Sequence, residues 1–494
     1  MIDDILHEVE RDALPDAAVR VTSLATDYLA GARRGEDAVS PAVQRDEVDA
    51  RFAEPLPEHG RPLVDVVDRI RDEIIADANH LAHPMYMGHQ VSFALPVAAW
   101  VDSVISALNQ SIAVEEMSPT LTALEMRVVR WMCDGAGLPP TSGGTFTSGG
   151  TEATFTALLA ARAAALPDSW VEGLGHHAPV VLCGEHAHYA VTRAVAQLGL
   201  GMRSAIAVPS DHYRMSPGAL ERELDRVNAA GTGVMAVVAT AGHTATGAFD
   251  DLDRIGRMCD ERGIWLHVDG AHGASALLSD RHRHRVRGIE RARSIAWDPH
   301  KMMLLPLPAG MLLVRDERDL QAAFAQRAPY LFHGDASDAV RARVRDQGVR
   351  SFQCSRRGDA LKAWAVLQRY GRRGIAALHD HLCDLALAMH EMLAAREDFV
   401  TLHEPESNIL CFRWVGTNTG RLDDDTLDAV NGQIRARYNQ SGAGWITTTV
   451  LEGRRVLRVT MMNPRTTVDH VKAAVDELAR VANAIVTTGV ANAR

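Results

Sequence analysis

The stretch Ser294-Ile295-Ala296-Trp297-Asp298-Pro299-His300-Lys301-Met302-Met303 sets a lysine directly after a histidine, behind a proline that stiffens the backbone, where a short buried strand is expected to end. A lysine held in mostly apolar company is desolvated toward its neutral form and becomes a nucleophilic amine. Lys301 is therefore the candidate for Schiff-base chemistry. The competing reading is a surface lysine, the usual state of an isolated one. Lys301 is not isolated: upstream, Gly263-Ile264-Trp265-Leu266-His267-Val268-Asp269-Gly270-Ala271-His272 reads as an apolar strand that ends on Asp269. A carboxylate there suits the task of holding a pyridinium nitrogen protonated, which makes pyridoxal phosphate an electron sink.

A second candidate feature is Gly143-Gly144-Thr145-Phe146-Thr147-Ser148-Gly149-Gly150-Thr151-Glu152-Ala153, leading into a helical pattern from Thr154 to Ala165. A glycine-rich turn feeding a helix N-terminus offers unpaired N–H groups and the positive end of the macrodipole, a phosphate cradle. Neither GxGxxG nor GxxxxGK[ST] is present, which disfavours nicotinamide and nucleoside triphosphate sites. A phosphate site of another kind and a simple tight turn both stay open.

The elements that must position these residues are short apolar runs alternating with helical patterns: Pro179–Cys183, Ser204–Val208, Val234–Ala239, Ile264–Val268 and Met311–Val314. Strands buried on both faces and separated by helices predict an α/β fold built on a mainly parallel sheet. Ligands of such sheets sit at the carboxyl ends of the strands. The glycine turn, His188, Thr240 to Thr244, Asp269 and Lys301 would all converge there. The expected division is an N-terminal helical segment over 1–80, a large domain over 81–365 and a small α+β domain over 366–494. Within the first, Val64 to Ile75 fits an amphipathic helix, and the segment is too small for a core of its own. The loop Ala82-His83-Pro84-Met85-Tyr86-Met87-Gly88-His89-Gln90 is either a pocket wall or a connection with a satisfied histidine.

With 494 residues, 47% hydrophobic and 23% charged, the chain can bury a large core. A formal net charge of -11 argues against a nucleic-acid partner. The one local exception, Asp280-Arg281-His282-Arg283-His284-Arg285-Val286-Arg287, reads as a solvated loop or a subunit contact. Six scattered cysteines without a CxxC pair predict neither a zinc site nor a disulfide framework, and point to a reducing cytoplasm. No HExxH motif suggests a metal enzyme either. No apolar run reaches the ~18 residues of a membrane span, and the N-terminus lacks a basic segment before an apolar core.

Assembled, these pieces resemble the group II pyridoxal-phosphate-dependent amino-acid decarboxylases, which include glutamate, aromatic amino-acid and diaminobutyrate decarboxylases. The resemblance runs from His83 to Pro464. It rests on HP at His83, NQ…SP from Asn109 to Pro119, TSGGTEA from Thr147 to Ala153, EHAHY from Glu185 to Tyr189 and ATAG from Ala239 to Gly242. HVDGAHG from His267 to Gly273, DPHK from Asp298 to Lys301 and LR…NP from Leu457 to Pro464 complete it, in the family's order. It implies a fold type I, aspartate-aminotransferase-like large domain with a small C-terminal domain, and pyridoxal 5'-phosphate as cofactor. By resemblance, Lys301 would form the internal aldimine, Asp269 would pair with the pyridine nitrogen, and His188 would stack on the ring and act in proton transfer. Gly150, Thr151 and His300 would hold the phosphate, with Thr244 also at the cofactor and Ala271 against the other ring face. His186 and His272 would play supporting parts. The implied reaction is loss of CO2 from an amino acid and protonation of the α-carbon to give an amine. Because the family's sites draw residues from both subunits, a homodimer with the active site at the interface is expected.

The chain departs from the family at three places. Arg345 falls where many members carry a loop tyrosine that protonates the α-carbon, and no tyrosine lies between Tyr330 and Tyr370. An arginine is a poor acid at neutral pH. His188, Tyr330 or water would then deliver the proton, or the reaction would turn to decarboxylation-dependent oxidative deamination and an aldehyde, the alternative function. His243 replaces a common threonine and Asp298 a common asparagine. For substrate recognition the resemblance points to His89, Gln90, Arg345 and Arg458, with Glu115 and Glu116 near the pocket walls of relatives. A local salt bridge is the competing reading of Arg458. A polar amino acid is the expected substrate.

Overall fold

In the computed structural model, which describes residues 2–35, 38–175, 178–324, 345–416 and 422–488, the apolar runs of the middle of the chain become one sheet. Its strands are β1 (Gly143–Thr147), β2 (Val180–Gly184), β3 (Ala205–Val208), β6 (Val234–Thr240), β7 (Trp265–Asp269), β8 (Ser294–Trp297) and β9 (Gly310–Val314), while β4 (Ser210–Asp211) and β5 (Arg214–Met215) form a short hairpin. The order across the sheet is β1-β9-β8-β7-β6-β2-β3. β3, β2, β6, β7 and β8 are parallel neighbours, and only β9 runs against both of its own, β8 and β1. Every residue of β7, β8 and β9 is buried. That two-sided burial is why these strands read as unbroken apolar runs, and the α/β class with a mainly parallel sheet holds.

The helix Gly150–Ala165 lies on this sheet through small residues. Ala153 and Ala157 pack in one buried cluster with Ala296, Leu312, Val314 and Leu320. Farther along, Leu158 and Leu159 join Val181, Val191, Val195, Met235, Val238 and Trp265 in a second. Alanine at the first two positions permits a close approach of helix to strands, so a larger side chain there would cost about 1–3 kcal/mol of overpacking.

One element differs from the expected glycine turn. Gly143–Thr147 is a strand, antiparallel to β9, and the turn is confined to Ser148 and Gly149. Glycine disfavours strands, but a Cβ on Gly144 would sit 2.3 Å from the Leu312 carbonyl oxygen. Here the close approach of a neighbouring backbone decides the residue, as glycines inside strands often signal.

The chain divides into two compact units, one of Gln90–Asp384 with Pro405–Ile409, the other of Met1–His89, Leu385–Glu404 and Leu410–Arg494. Their edges do not coincide with the boundaries expected at 80/81 and 365/366. In the second unit, β10 (Phe399–Thr401), β11 (Ile409–Trp414), β12 (Thr447–Leu451) and β13 (Arg454–Thr460) form a sheet in the order β10-β11-β13-β12. Helices Asp424–Gln440 and Val468–Thr487 accompany it, the latter opened by a capping box in which Thr467 and His470 satisfy each other's backbone N–H. The segment Ala82–Met87 is fixed within this unit: Met87 N–H donates to Trp445 O at 2.9 Å, Thr460 N–H to Met87 O at 3.0 Å, and Thr466 Oγ1 to Pro84 O at 2.6 Å. The expected amphipathic helix near residue 64 is Leu63–Arg69, continued as a π-helix through Ile75. Among the described residues, no helix is long and apolar enough to cross a membrane.

Candidate active site

Because β1 and β8 are both antiparallel to β9, β1 runs the same way as β8, β7, β6 and β2. Their carboxyl ends therefore open on one side, where ligands of α/β sheets bind. A cavity of about 380 Å³ lies there. Ser148, Gly149, Gly150 and Thr151 reach it after β1, His188 and Tyr189 after β2, and Thr240, Gly242 and Thr244 at the end of β6. Asp269, Ala271 and His272 follow β7, and Asp298, His300, Lys301 and Leu307 follow β8. The structure thus brings together Lys301, Asp269, His188, Gly150, Thr151, Thr244, Ala271 and His300, all expected at a cofactor from the sequence.

Asp298 ties the pieces to one another. Its Oδ2 accepts the Gly150 amide at 3.0 Å and stands 3.2 Å from Lys301 Nζ and 3.4 Å from His300 Nε2. Burial works against charge on this carboxyl, but Lys301, His300 and the Gly150 amide outweigh it and hold Asp298 below the usual carboxylate range. His300 is fixed from the other side, where its Nδ1 accepts the Ala309 N–H at 3.1 Å.

His188 is half-buried, and burial pushes it below the usual imidazole range; Asp269 acts against that shift and Lys301 with it. Its Nδ1 accepts the Ala190 N–H at 3.2 Å, so the neutral ring carries its proton on Nε2. Behind the cavity, His243 is fully buried, with Nε2 3.0 Å from Asp250 Oδ1. Burial opposes charge on His243, yet Asp250 more than offsets it and raises the imidazole. Asp250 also accepts the Met215 and Thr240 amides, each at 2.7 Å, which fixes the end of β6.

The residues expected to meet substrate are not among those that line this cavity. Arg345 pairs with Glu115 at 2.9 Å and lines a different cavity with Arg127, Glu317 and Arg350. Gln90 has its Nε2 buried with no hydrogen-bond partner among the described residues. His89 and Arg458 belong to the other compact unit. There Arg458 is buried on β13, 3.5 Å from Thr447 Oγ1, and burial lowers its guanidinium while Cys411 counters. Burial also lowers His89, followed by the charges of Arg458 and Arg435. Tyr330 lies outside the described residues. Tyr189 and Leu307 line the cavity without having been singled out. Tyr189 was signalled by its place beside His188, whereas nothing polar marks Leu307.

The donor set fits a small anionic ligand with an electrophilic carbon and a protonatable ring. Lys301 supplies an amine and Asp269 a carboxylate on the same cavity. Past Gly150, whose amide Asp298 takes, the helix N-terminus offers the positive end of its dipole for a phosphate. The space for that anion is kept by glycine: a Cβ on Gly150 would meet Ala271 Cβ at 2.8 Å, and one on Gly149 would meet His300 at 3.2 Å. Gly242, at φ +84°, holds a turn that side chains rarely adopt. Thr240 Oγ1 is buried on the cavity wall with no hydrogen-bond partner among the described residues, a donor available to a ligand.

Comparison with known proteins gives a consistent picture. The pyridoxal-dependent decarboxylase conserved domain matches residues 46–415. L-2,4-diaminobutyrate decarboxylase of Rhizobium meliloti (strain 1021) is 36% identical over 436 residues, covering 88% of this chain and 85% of that protein. Cysteine sulfinic acid decarboxylase of Rattus norvegicus is 34% identical over 363 residues, 73% of each. The crystal structure of mouse CSAD is similar at a TM-score of 0.89 with 28% identity, covering 95% of this chain and 99% of that one.

Proposed function

The chain belongs to the pyridoxal-dependent decarboxylase family and is a pyridoxal 5'-phosphate-dependent amino-acid decarboxylase, and from that premise we propose that its substrate is an L-amino acid with a polar, cationic side chain, released as the amine and CO2. The observation that carries the reading is the meeting of Lys301, Asp269 and the Gly150 helix N-terminus on one cavity. When bound, pyridoxal phosphate supplies the sink for the electron pair freed as the carboxylate leaves.

The chain's own residues divide the remaining work. Lys301 Nζ would be the amine that holds the cofactor through its aldehyde carbon. Asp269 keeps the ring nitrogen protonated. Gly150, Thr151, His300 and Thr244 would hold the phosphate, and Ala271 and His188 would pack against the ring. Proton traffic at His188 runs through Nε2, because Nδ1 is occupied by the Ala190 N–H. By resemblance alone, substrate recognition would fall to Gln90 and Arg345 of the cavity's own unit, with Glu115 and Glu116 as acidic groups for a cationic side chain. The name of the Rhizobium relative, a diaminobutyrate decarboxylase, supports that charge. The relatives' names also favour the amine over the aldehyde as product.

The enzyme works as a homodimer in this reading. Its support is the helix Ile2–Asp12, where Ile2, Ile5, Leu6 and Val9 repeat at helical spacing and are each more than half exposed. A cytoplasmic setting is supported by six free cysteines, five of them buried.

The test is to supply cofactor-loaded enzyme with a panel of cationic, acidic and aromatic amino acids while recording CO2, amine, aldehyde and oxygen uptake. Amine and CO2 from a diamino acid without oxygen uptake is the expected result. Turnover of acidic substrates alone would overturn the side-chain assignment, and aldehyde with oxygen consumed would overturn the product.

A further inference from the structure

We propose that His282, His379 and Cys383 form a structural transition-metal site of the zinc class, outside the cofactor cavity. His379 and Cys383 stand four residues apart on the helix Ala360–Ala394, beyond its non-helical Gly371, and so share one face. His282 comes from the Arg/His-rich piece that follows the 3-10 turn Gly273–Leu278. One ligand atom from each residue lies within 4.8 Å of the others. His379 Nδ1 is 3.9 Å from Cys383 Sγ. Around a tetrahedral zinc with bonds of roughly 2.0–2.3 Å, donor atoms stand about 3.3–3.8 Å apart. Small side-chain adjustments therefore close the set.

A carboxylate stands beside the two imidazoles. Asp380 Oδ1 is 3.5 Å from His379 Nδ1 and 3.8 Å from His282 Nε2, and Ser279 Oγ donates to it at 2.5 Å. This is the kind of outer support that orients metal ligands. An independent observation points the same way: both ring nitrogens of His282 are buried with no hydrogen-bond partner among the described residues. Buried polar atoms without partners are uncommon in folded proteins, and a metal bond would satisfy one of these.

The two imidazoles suit ligation as they stand, whereas the thiol must first lose its proton. Burial lowers His282, and burial followed by the charge of His282 lowers His379 to about 4, so both imidazoles offer lone pairs near neutral pH. Burial pushes the Cys383 thiol up. Binding of a divalent ion therefore replaces the thiol proton, which leaves to solvent as the metal–sulfur bond forms. Two nearby guanidiniums oppose a cation, but each is paired: Arg281 with Asp384 at 2.7 Å and Arg285 with Glu406 at 3.4 Å. One thiolate and two imidazoles favour zinc over the hard cations. Such a site would pin the His282 segment to the helix.

The experiment uses the full cofactor-loaded chain, stripped with a chelator and titrated with Zn²⁺ or Co²⁺. The expected result is one tightly held equivalent of Zn²⁺ per chain. With Co²⁺, a thiolate-to-cobalt charge-transfer band should appear in the difference spectrum. Cys383→Ser should lose the band and weaken Zn²⁺ binding at least tenfold, His282→Gln should weaken it similarly, and Cys354→Ser, at the exposed cysteine, should change neither. Absence of the band from the unsubstituted protein overturns the proposal, as does a band that survives Cys383→Ser. Should Cys383→Ser not fold, the unsubstituted spectrum and His282→Gln decide: equal Zn²⁺ affinity with and without His282 refutes the site.

Discussion

Lys301 Nζ lies 3.2 Å from Asp298 Oδ2, the oxygen that also accepts the Gly150 amide. One buried carboxylate thus joins the amine after β8 to the helix N-terminus after β1. The contact engages Lys301 Nζ with the carboxylate, and attack on an aldehyde requires the amine to leave it. Asp298→Asn keeps an acceptor for Gly150 and removes the ion pair, so apoenzyme should take up pyridoxal phosphate faster. Asp298→Ala also strips the acceptor from Gly150 and His300 and should cost about 1–3 kcal/mol of stability. Stopped-flow absorbance after mixing with cofactor, beside thermal unfolding, reads both effects. An Asn variant as slow as or slower than the parent would remove the ion-pair argument.

Lys301 and Asp269 are predicted to separate holding the cofactor from using it. Lys301→Ala should abolish covalent attachment, so that borohydride reduction followed by denaturation leaves the cofactor on the unsubstituted chain alone. Asp269→Asn should keep the cofactor attached while kcat falls roughly 10²–10³-fold, the usual scale for losing one preorganised electrostatic partner. A borohydride-stable adduct on the Lys301→Ala chain would refute the first assignment. Undiminished kcat in Asp269→Asn would refute the second.

Gly144→Ala tests how the sheet sets the site. The added Cβ would meet the Leu312 carbonyl oxygen at 2.3 Å and Val129 at 3.1 Å, so β1 and β9 must part. A loss of about 1–3 kcal/mol or more is expected. Cofactor affinity should fall with it, because β1 leads directly to Ser148 and the Gly150 helix. Denaturation midpoints and cofactor titration measure the two together. An unchanged midpoint would show that the strands yield without cost.

This glycine also marks where the sequence stops being legible. The convergence of these side chains on one cavity is legible because they stand at the ends of apolar runs: Asp269 closes β7, and His300 and Lys301 follow β8. Thr240 closes β6 in the same way. β1 is not legible in this way, since Gly144 is set by the Leu312 backbone and Gly143 by the Glu317 side chain, not by local preference. Asp298 looked like a change of one residue type, and only the folded chain shows it bonded to Gly150. His282 reads as part of a solvated loop or a subunit contact because His379 and Cys383 are remote in sequence. Chemistry carried by one segment was readable, and chemistry assembled by packing was not.

His267 provides the last prediction, through acid stability. It is fully buried on β7, with Nδ1 2.9 Å from Ser294 Oγ and Nε2 without a hydrogen-bond partner among the described residues. Burial lowers it from 6.5 to about 4, with the charge of Asp269 acting in opposition. Above pH 6.5 neither the folded nor the unfolded imidazole is protonated, and this contribution is fully present. As pH falls toward 4 the unfolded chain binds a proton that the fold refuses, so stability declines. The gap between 6.5 and about 4, at about 1.4 kcal/mol per pH unit, is worth about 3 kcal/mol. His267→Asn cannot titrate. Its urea stability should therefore fall less steeply than the parent's over that range, by about 3 kcal/mol at pH 4. Parallel stability curves for the two proteins would mean that solvent reaches His267 and that the core of β7 is less closed than its burial indicates.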